Sequence, residues 1–430
     1  MTAQNREGLA MRQMVRGGWR ARATARAVLG AAVAVLAGFL SEAPRAASLC
    51  GADGPQPGGA VYRICMPSPG AWNGDLVIWA HGYVDVTEPV AIPESQLCLA
   101  DGFCVPTIVN GLGFGFATTS YRMNGLVTTP VEDVAELIDL FAAQQGAPRR
   151  VFVVGASEGG LATALALERR PDLFAGGVSA CGPIGDFVRQ VEYYGDFRVA
   201  FDYFFPGLLP GTLLDVPPDL MDHWDDFWDN TVKPVVFDPA NAGKLSQLLK
   251  VAKAPYDPGV QETIEKTVRD GVWYNVFAAE DLYAKLHGSP YDNTGKVYMG
   301  SWNDRALNAG VARYLADPAA LATIDALFTT TGRLDVPMVN LHTTKDQQVA
   351  FVQELLYAQK VRAAGAAANH LLIPSFRYGH CNFKPWEAIL AFVIAVQKAE
   401  GVAPTGVEAL LPPADRDAYT DAARAAGLLR

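Results

Sequence analysis

Charge, histidine and metal-binding patterns are all scarce in this sequence. Charged residues make up 19% of the chain, the formal net charge is −10, and there are only six histidines and six cysteines. This acidic balance argues against nucleic acid or an anionic membrane surface as the main partner, because both attract clustered Lys and Arg. No Cys-x-x-Cys pair and no closely spaced pair of histidines occurs, so we predict no metal site. We predict no cofactor either.

The first 48 residues differ from the rest of the chain. Arg16, Arg20, Arg22 and Arg26 precede an apolar run over residues 27–40, and small residues follow at 46–48. This three-part layout predicts an export signal, residues 1–48, cleaved near Ala47 or Ser48. A membrane anchor is the alternative, but the run is shorter than the ~20 residues that span a bilayer. We therefore expect a secreted or periplasmic protein with no stable membrane span once mature.

Apolar residues are plentiful at 50% of 430 residues, enough to bury a large core. Short apolar runs alternate with helical segments, which predicts an α/β protein with a mostly parallel sheet covered by helices on both faces. A helix is expected after Pro130, where apolar residues recur at helical spacing. The predicted strands are 76–80, 114–118, 151–154, 177–181, 337–341 and 371–373.

The alternation stops between residues 183 and 331. This stretch holds helical-looking pieces rich in Tyr, Phe and Trp, and we interpret it as a large, mainly helical cap or lid insertion whose aromatic residues mostly form its own core. Residues 49–182 and 332–400 are then the two halves of the core. Residues 401–430 follow as a C-terminal tail, to which the sequence pattern assigns no structure.

A candidate nucleophile lies at the end of one predicted strand. Ser157 is the centre of Gly155-Ala156-Ser157-Glu158-Gly159, directly after strand 151–154 and directly before a helical segment. A sharp strand-to-helix turn needs glycines on both sides of the serine, because side chains there would collide with neighbouring backbone. The motif is weak by itself, but this setting predicts a nucleophile elbow. An incidental serine in a tight turn is the alternative.

Candidate partners for the serine follow in the order acid, then histidine. Asp346 lies just past strand 337–341, and His380 lies on the loop after the last predicted strand. Asp346 would orient the imidazole of His380, which would transfer the proton of Ser157. Asp335 is the alternative acid, although it precedes its strand. The remaining histidines near strands, His342 and His370, are expected to be hydrogen-bonded structural residues.

A second oxyanion donor is expected after strand 76–80. The strand is followed by His81-Gly82-Tyr83, in which glycine allows the loop to pass close to a substrate. The backbone N–H groups of Tyr83 and Glu158 would together hold an oxyanion, with His81 and Gly82 supporting the loop. An ordinary polar turn is the alternative.

These residues together resemble the α/β-hydrolase superfamily, in the broad group of carboxylesterases, lipases and prolyl-oligopeptidase-like enzymes. The resemblance covers residues 60–182 and 332–400 and leaves out the cap. It implies the α/β-hydrolase fold and hydrolysis through an acyl-enzyme on Ser157. A serine at this position argues against dehalogenase and epoxide-hydrolase chemistry, which uses a carboxylate nucleophile.

The six cysteines are read as possible disulfides, because export permits them. Two pairs, Cys50 with Cys65 and Cys98 with Cys104, are close enough in sequence to link local loops. A bond between Cys181 and Cys381 would tie the His380 loop to the sheet. Tannases and feruloyl esterases are similar in bridging a cysteine beside the serine to one beside the histidine, but here Ala156 precedes the serine. Two unpaired buried cysteines are the alternative.

The aromatic content of the cap is the main indication of substrate. If some of these side chains face the cleft, the site suits apolar, aromatic or polyester-like esters, small or polymeric. The resemblance leaves a secreted serine peptidase or aminopeptidase of the prolyl-oligopeptidase type as an alternative. An inactive binding protein of the same fold is a third possibility. Acidic residues that could hold a substrate amino terminus are Glu158, Asp222, Asp225, Asp226, Glu280 and Asp281.

Overall fold

The computed structural model describes residues 49–99, 103–217 and 219–429. The predicted export signal, residues 1–48, lies outside this part of the chain. Within the described ranges, no helix is both long enough and apolar enough to cross a membrane.

One large sheet organises the protein. The strands are β1 Leu49–Cys50, β2 Gly54–Pro55, β3 Val61–Met66, β4 Asp75–Ala80, β5 Cys98–Leu99, β6 Phe103–Cys104, β7 Gly115–Thr119, β8 Arg150–Ala156, β9 Gly176–Ala180, β10 Met338–Lys345 and β11 His370–Tyr378. Nine of them pair in the order β1-β3-β7-β4-β8-β9-β10-β11, with β2 on β3, while β5 and β6 form a separate hairpin. From β7 to β11 every pairing is parallel, and β1, β2 and β3 pair antiparallel.

Helices connect the parallel strands and cover both faces of the sheet. They are α1 Val105–Gly111, α2 Pro130–Gln145, α3 Glu158–Arg169, α4 Phe187–Phe204, α5 Asp219–Asp222, α6 Trp224–Phe227, α7 Lys233–Val236, α8 Ala242–Val251, α9 Gln261–Phe277, α10 Ala279–Leu286, α11 Asp304–Gly310, α12 Pro318–Leu327, α13 Val352–Ala363, α14 Pro385–Glu400, α15 Val407–Leu410 and α16 Pro413–Ala425. Short 3-10 turns lie at Pro57–Gly59, Glu94–Gln96, Pro239–Asn241 and Ala367–Asn369, and a π-helical turn at Trp228–Val232.

The two faces of the sheet bury separate apolar clusters. Because successive side chains in a strand point to opposite faces, Leu76 and Ile78 of β4 pack with α2, α3 and the helices after β9, whereas Val77 and Trp79 pack with α1, α14 and α16. A parallel sheet with helices on both faces and a serine turn after β8 is the α/β-hydrolase fold. The fold prediction is confirmed.

Among the described residues between β9 and β10, where the sequence predicts a helical cap, there are nine helices, α4 to α12. We call residues 181–337 the helical insertion. Its apolar side chains continue the cluster on one face of the sheet, and Phe187 near its start stacks on Phe328 near its end with ring centroids 4.8 Å apart. The insertion therefore shares a core with the sheet.

Three parts of the structure differ from the sequence prediction. The first long strand is Val61–Met66, before the first predicted one, and its antiparallel pairing with β7 places it near the sheet edge. The strands β10 and β11 continue four and five residues beyond their predicted ends. The segment described as a tail contains α15 and α16, and Tyr419 and Ala423 of α16 are buried against the core, because they recur at helical spacing.

Candidate active site

Ser157 occupies a strained turn between β8 and α3. Its φ is 59°, a conformation that non-glycine residues adopt rarely and that a surrounding structure must enforce. A Cβ atom on Gly155 would overlap the backbone of Gly159, and one on Gly159 would overlap the carbonyl of Ala80. The chain packs so closely here that only glycine fits at either position, which is the structural reason for the motif.

Three side chains form a hydrogen-bonded row at the carboxyl ends of the strands. His380 Nε2 lies 2.9 Å from Ser157 Oγ, and His380 Nδ1 lies 2.8 Å from Asp346 Oδ2. The Ser157 residue follows β8, Asp346 follows β10 and His380 follows β11, so three separate strands supply the row. Asp346 is fully buried, whereas the His380 side chain is 12% exposed.

The environment of Asp346 keeps it ionised. Burial alone would raise its pKa, but bonds from His380 and His342 outweigh burial and lower the pKa of the carboxyl. Its other oxygen, Oδ1, accepts the backbone N–H groups of Gln348 and Val349, both at 2.9 Å. The alternative acid Asp335 is exposed in the loop before β10.

The row continues beyond Asp346 into two residues that the sequence did not single out as functional. His342 is fully buried, and its Nδ1 lies 2.9 Å from Oε1 of Glu354. Burial alone would lower the pKa of His342, but its bonds to Asp346 and Glu354 have the larger combined effect and raise the pKa to about 10. His342 is therefore a buried cation between two carboxylates. His370 packs its ring against Tyr357, but its Nε2 is buried without a hydrogen-bond partner in the described part of the chain, which differs from the hydrogen-bonded histidine expected there.

Two backbone N–H groups beside Ser157 are free to bind an oxyanion. Among the described residues, neither Tyr83 N–H nor Glu158 N–H has an acceptor. Gly82 allows the close approach, because a Cβ there would lie 3.0 Å from Ser157 Cβ. His81 is buried and supports the loop: its Nδ1 lies 2.7 Å from the Gly82 carbonyl, and the hydroxyl of Tyr121 donates to the carbonyl of His81 at 3.1 Å.

The row opens into a cleft lined mainly by apolar side chains. Its walls come from the core and from the helical insertion, and the aromatic residues among them are Tyr83, Phe187, Tyr194 and Tyr274. Tyr194 and Tyr274 stack with ring centroids 4.6 Å apart. A few aromatic residues of the insertion thus face the cleft, while others, such as Trp228 and Phe201, are buried in the core.

A family model connects this geometry to known enzymes. The model described as the prolyl oligopeptidase family, Peptidase S9, matches residues 103–194, a segment that includes β8, the Ser157 turn and α3. The chain has the α/β-hydrolase fold, and its segment around Ser157 is similar to this family. The match spans 92 of 430 residues, so it does not assign the chain to the family itself.

Solved structures with similar folds include esterases and peptidases. An esterase from Aspergillus oryzae is 14% identical, with a TM-score of 0.46 over 80% of this chain and 78% of that one. Feruloyl esterase B from the same organism is 14% identical, with a TM-score of 0.39 over 80% and 79%. Pyrococcus horikoshii acylaminoacyl peptidase is 12% identical, with a TM-score of 0.39 over 80% and 39%. The chain thus spans about two fifths of the acylaminoacyl peptidases it matches. No curated protein matches the chain in sequence.

Gln96, which the sequence analysis did not single out, holds the loop at residues 81–83 in place. Its Oε1 accepts the N–H of Gly82 at 2.7 Å, and its Nε2 donates to the carbonyl of Tyr83 at 2.9 Å. The two bonds fix the peptide groups on either side of the free Tyr83 N–H. Gln96 is therefore a positioning residue, and no sequence motif marks it because its partners are backbone atoms.

We predict that Gln96→Ala lowers kcat about 10-fold to 100-fold, with a much smaller change in KM. Loss of the two bonds misorients one oxyanion donor, and a single such donor is worth about 10²–10³ in kcat. Gln96→Glu keeps the acceptor for Gly82 but loses the donor to Tyr83, so it should fall between alanine and wild type. Steady-state kinetics on one ester tests this. A rise in KM alone would mean that Gln96 shapes only the binding cleft.

Three disulfides connect the chain: Cys50–Cys65, Cys98–Cys104 and Cys181–Cys381. The third follows His380 directly and ties its loop to the end of β9. Cys181, His380 and Cys381 bring three potential metal ligands within 4.8 Å of one another. Both thiols are used in the disulfide, however, so they are not available as thiolate ligands.

The acidic residues considered for a substrate amino terminus lie in different places. Asp222, Asp225 and Asp226 line a separate polar cleft, and Glu280 is exposed. Asp281 forms an ion pair with Lys285 at 2.7 Å. Only Glu158 lines the cleft that contains Ser157.

The side chain of Glu158 is in a protonation-sensitive environment. Burial raises its pKa to about 7, opposed by the bond from Val127 N–H and by Lys285, and reinforced by Asp281. The tyrosine hydroxyls of Tyr83 and Tyr121 interact electrostatically with the same carboxyl. The carboxyl thus titrates near neutrality, well above its ordinary range.

We predict that Glu158→Gln becomes more stable than wild type as the pH rises. A raised pKa means that the folded protein binds this proton more tightly than the unfolded chain. In wild type, the Glu158 carboxyl therefore contributes stability that is fully present below about pH 4.5 and is lost as the pH rises through about 7. The difference in unfolding free energy between variant and wild type should shift by about 2–3 kcal/mol in favour of the variant between pH 5 and pH 8.

Urea unfolding at both pH values measures this shift. The exposed residue Glu280 provides the control, since Glu280→Gln should show no comparable dependence on pH. A constant difference between Glu158→Gln and wild type would contradict the raised pKa.

Proposed function

We propose that this hydrolase cleaves carboxylic esters with apolar, aromatic or polyester-like groups, through an acyl-enzyme on Ser157. The observation that carries the proposal is the Ser157–His380–Asp346 row, with two free N–H groups beside it, opening into a cleft lined mainly by apolar and aromatic side chains. Such a cleft favours apolar acyl or alcohol groups.

The chemistry proceeds in two halves. His380 Nε2 accepts the proton of Ser157 as Oγ attacks the ester carbonyl, and the N–H groups of Tyr83 and Glu158 hold the oxyanion. The protonated imidazole then donates to the leaving alcohol, which leaves the acyl group bonded to Ser157. Water, deprotonated by His380, attacks this acyl-enzyme and releases the carboxylic acid. Asp346 fixes the imidazole and stabilises its positive charge.

Export and a capping role of the helical insertion belong to the same proposal. The three disulfides are compatible with an oxidising compartment, and we propose that residues 1–48 are removed during export. N-terminal sequencing of the mature protein should then give a start near Ser48, and an intact amino terminus would contradict it.

The insertion supplies one wall of the cleft, as expected for a lid.

A peptidase is the second candidate, because the matching family model describes prolyl oligopeptidases. The two are separated by p-nitrophenyl esters of increasing chain length, tested beside aminoacyl anilides and a polyester. We expect hydrolysis of the esters and labelling of Ser157 by a fluorophosphonate. Preferential cleavage of anilides would favour the peptidase. Folded protein that is not labelled at neutral pH would instead support a binding protein without turnover.

A further inference from the structure

Two buried hydrogen-bond acceptors beside the cleft have no donor within the described part of the protein. Glu158 Oε1 accepts Val127 N–H at 2.8 Å, but Oε2 has no partner and is buried. Gln190 donates from Nε2 to the carbonyl of Gln348 at 2.8 Å, but its Oε1 also has no partner. Gln190 is only 6% exposed, and both residues line the cleft that contains Ser157. Buried polar groups are normally satisfied, so two unsatisfied acceptors in one cleft point to a ligand.

The cleft offers little else that could satisfy these acceptors. The hydroxyl of Tyr83 donates to the carbonyl of Phe277, and that of Tyr274 donates to Gln348 Oε1. No Lys or Arg is among the residues that line the cleft. Lys285, which interacts with the carboxyl of Glu158 through space, is bonded to Asp281 and to the carbonyl of Asn124. A substrate bound in the cleft could supply donors for both oxygens.

A protonated amine suits these two acceptors. An ammonium group supplies three N–H donors and no acceptor, and its bonds to a carboxylate are charge-assisted. Aromatic faces such as those of the stacked Tyr194 and Tyr274 also attract cations. A carboxylate or phosphate at this place would meet only acceptors, and a plain alkyl chain would leave both acceptors without a partner.

We propose that the substrate carries a protonated amine close to its scissile carbonyl, with the ammonium bound by Glu158 Oε2 and a further N–H accepted by Gln190 Oε1. Glu158 and Ser157 line the same cleft, so one substrate molecule could place its amine at Oε2 and its carbonyl at Ser157, as an aminoacyl ester would. This assignment rests on the proposed hydrolysis at Ser157 and narrows its substrate class.

Three methyl esters that share a phenyl ring, a chain and a leaving group test the assignment. They are the esters of phenylalanine, of 3-phenylpropanoic acid and of N-acetylphenylalanine, compared by kcat/KM at pH 7. We expect the phenylalanine ester to exceed the 3-phenylpropanoate by about 10-fold to 100-fold, the range for a hydrogen bond to a charged group. The acetylated ester, which keeps an N–H but loses the charge, should fall below the amine. Equal rates for the first two esters would overturn the proposal.

Two variants link this preference to the unsatisfied acceptors. Glu158→Gln still accepts from Val127 but places an amide where Oε2 was, so the ratio of amine to parent ester should fall towards one. Gln190→Met removes the second acceptor at similar volume and should lower the ratio to a smaller extent. Glu280→Gln, at an exposed position of α10, serves as the control and should keep the wild-type ratio. An unchanged ratio in Glu158→Gln would exclude this site.

Fluorophosphonate labelling of Ser157 separates failure of the inference from failure of the proposed function. If no ester is hydrolysed but Ser157 is labelled, protection from labelling decides the matter. Phenethylamine should then slow the labelling about tenfold more effectively than phenethyl alcohol of the same shape, and Glu158→Gln should remove the difference. Equal protection by the two compounds would overturn the amine assignment. Absence of labelling in folded protein would overturn the proposed function, and with it this inference.

Discussion

Ser157→Ala is expected to lower kcat for ester hydrolysis by about 10⁶-fold, because it removes the atom that forms the acyl-enzyme. His380→Ala should cause a loss of similar size, since the hydroxyl 2.9 Å away then has no base. The double variant should be no worse than either single one. Residues that act as one unit give non-additive losses, and the activity that remains comes from binding and the oxyanion donors.

Ester hydrolysis by the two single variants and the double variant tests this result, with circular dichroism to show that each is folded. The matched control is Ser246→Ala, an exposed serine on α8, which should keep wild-type activity. Losses that multiply in the double variant would mean that the two residues act independently. Full activity of Ser157→Ala would place the nucleophile elsewhere.

Local patterns were sufficient to predict the centre of this site. The turn around Ser157 depends on close backbone contacts that only glycine permits. The need for glycine at positions 155 and 159 can therefore be recognised from five consecutive residues. Asp346 and His380 could be predicted because each follows a strand, and parallel strands bring their carboxyl ends to one edge of the sheet. The sequence predicted the strands by their apolar runs, which explains why β4 and β8 were found.

Elements whose stability depends on distant partners were not predictable in the same way. The interior of β10 contains Asn340, His342 and Thr343, all fully buried, so its apolar run stops before the strand does. These polar side chains are tolerated because Glu354 on α13 binds the first two. Such a partner is identified only when the fold brings it close.

The same reason explains the functional residues that the sequence did not reveal. Gln96 bonds two backbone groups of the loop at residues 81–83, and Oε1 of Gln190 has no partner in the described part of the chain. Neither property is a pattern of residue types. Both are consequences of which atoms the folded chain brings together.

Asp346→Asn is expected to lower kcat by about 10⁴-fold while the structure of the site is kept. The carboxylate accepts the Nδ1–H of His380 and so keeps Nε2 free to take the proton of Ser157. An asparagine amide can donate to Nδ1 instead, which would hold the imidazole in the wrong tautomer. The corresponding change in the serine-protease triad has an effect of this size. His342, the buried cation on the other side of Asp346, also loses one of its two negative partners.

Asp335→Asn distinguishes the two candidate acids, because Asp335 is exposed before β10 and should tolerate the change with less than about a twofold effect on rate. Kinetics of both variants on one ester, with urea unfolding to measure stability, tests the assignment. Fluorophosphonate labelling of Asp346→Asn should be slowed in parallel with turnover, since both need a base on His380. Normal labelling with slow turnover would show instead that Asp346 acts only after the acyl-enzyme has formed.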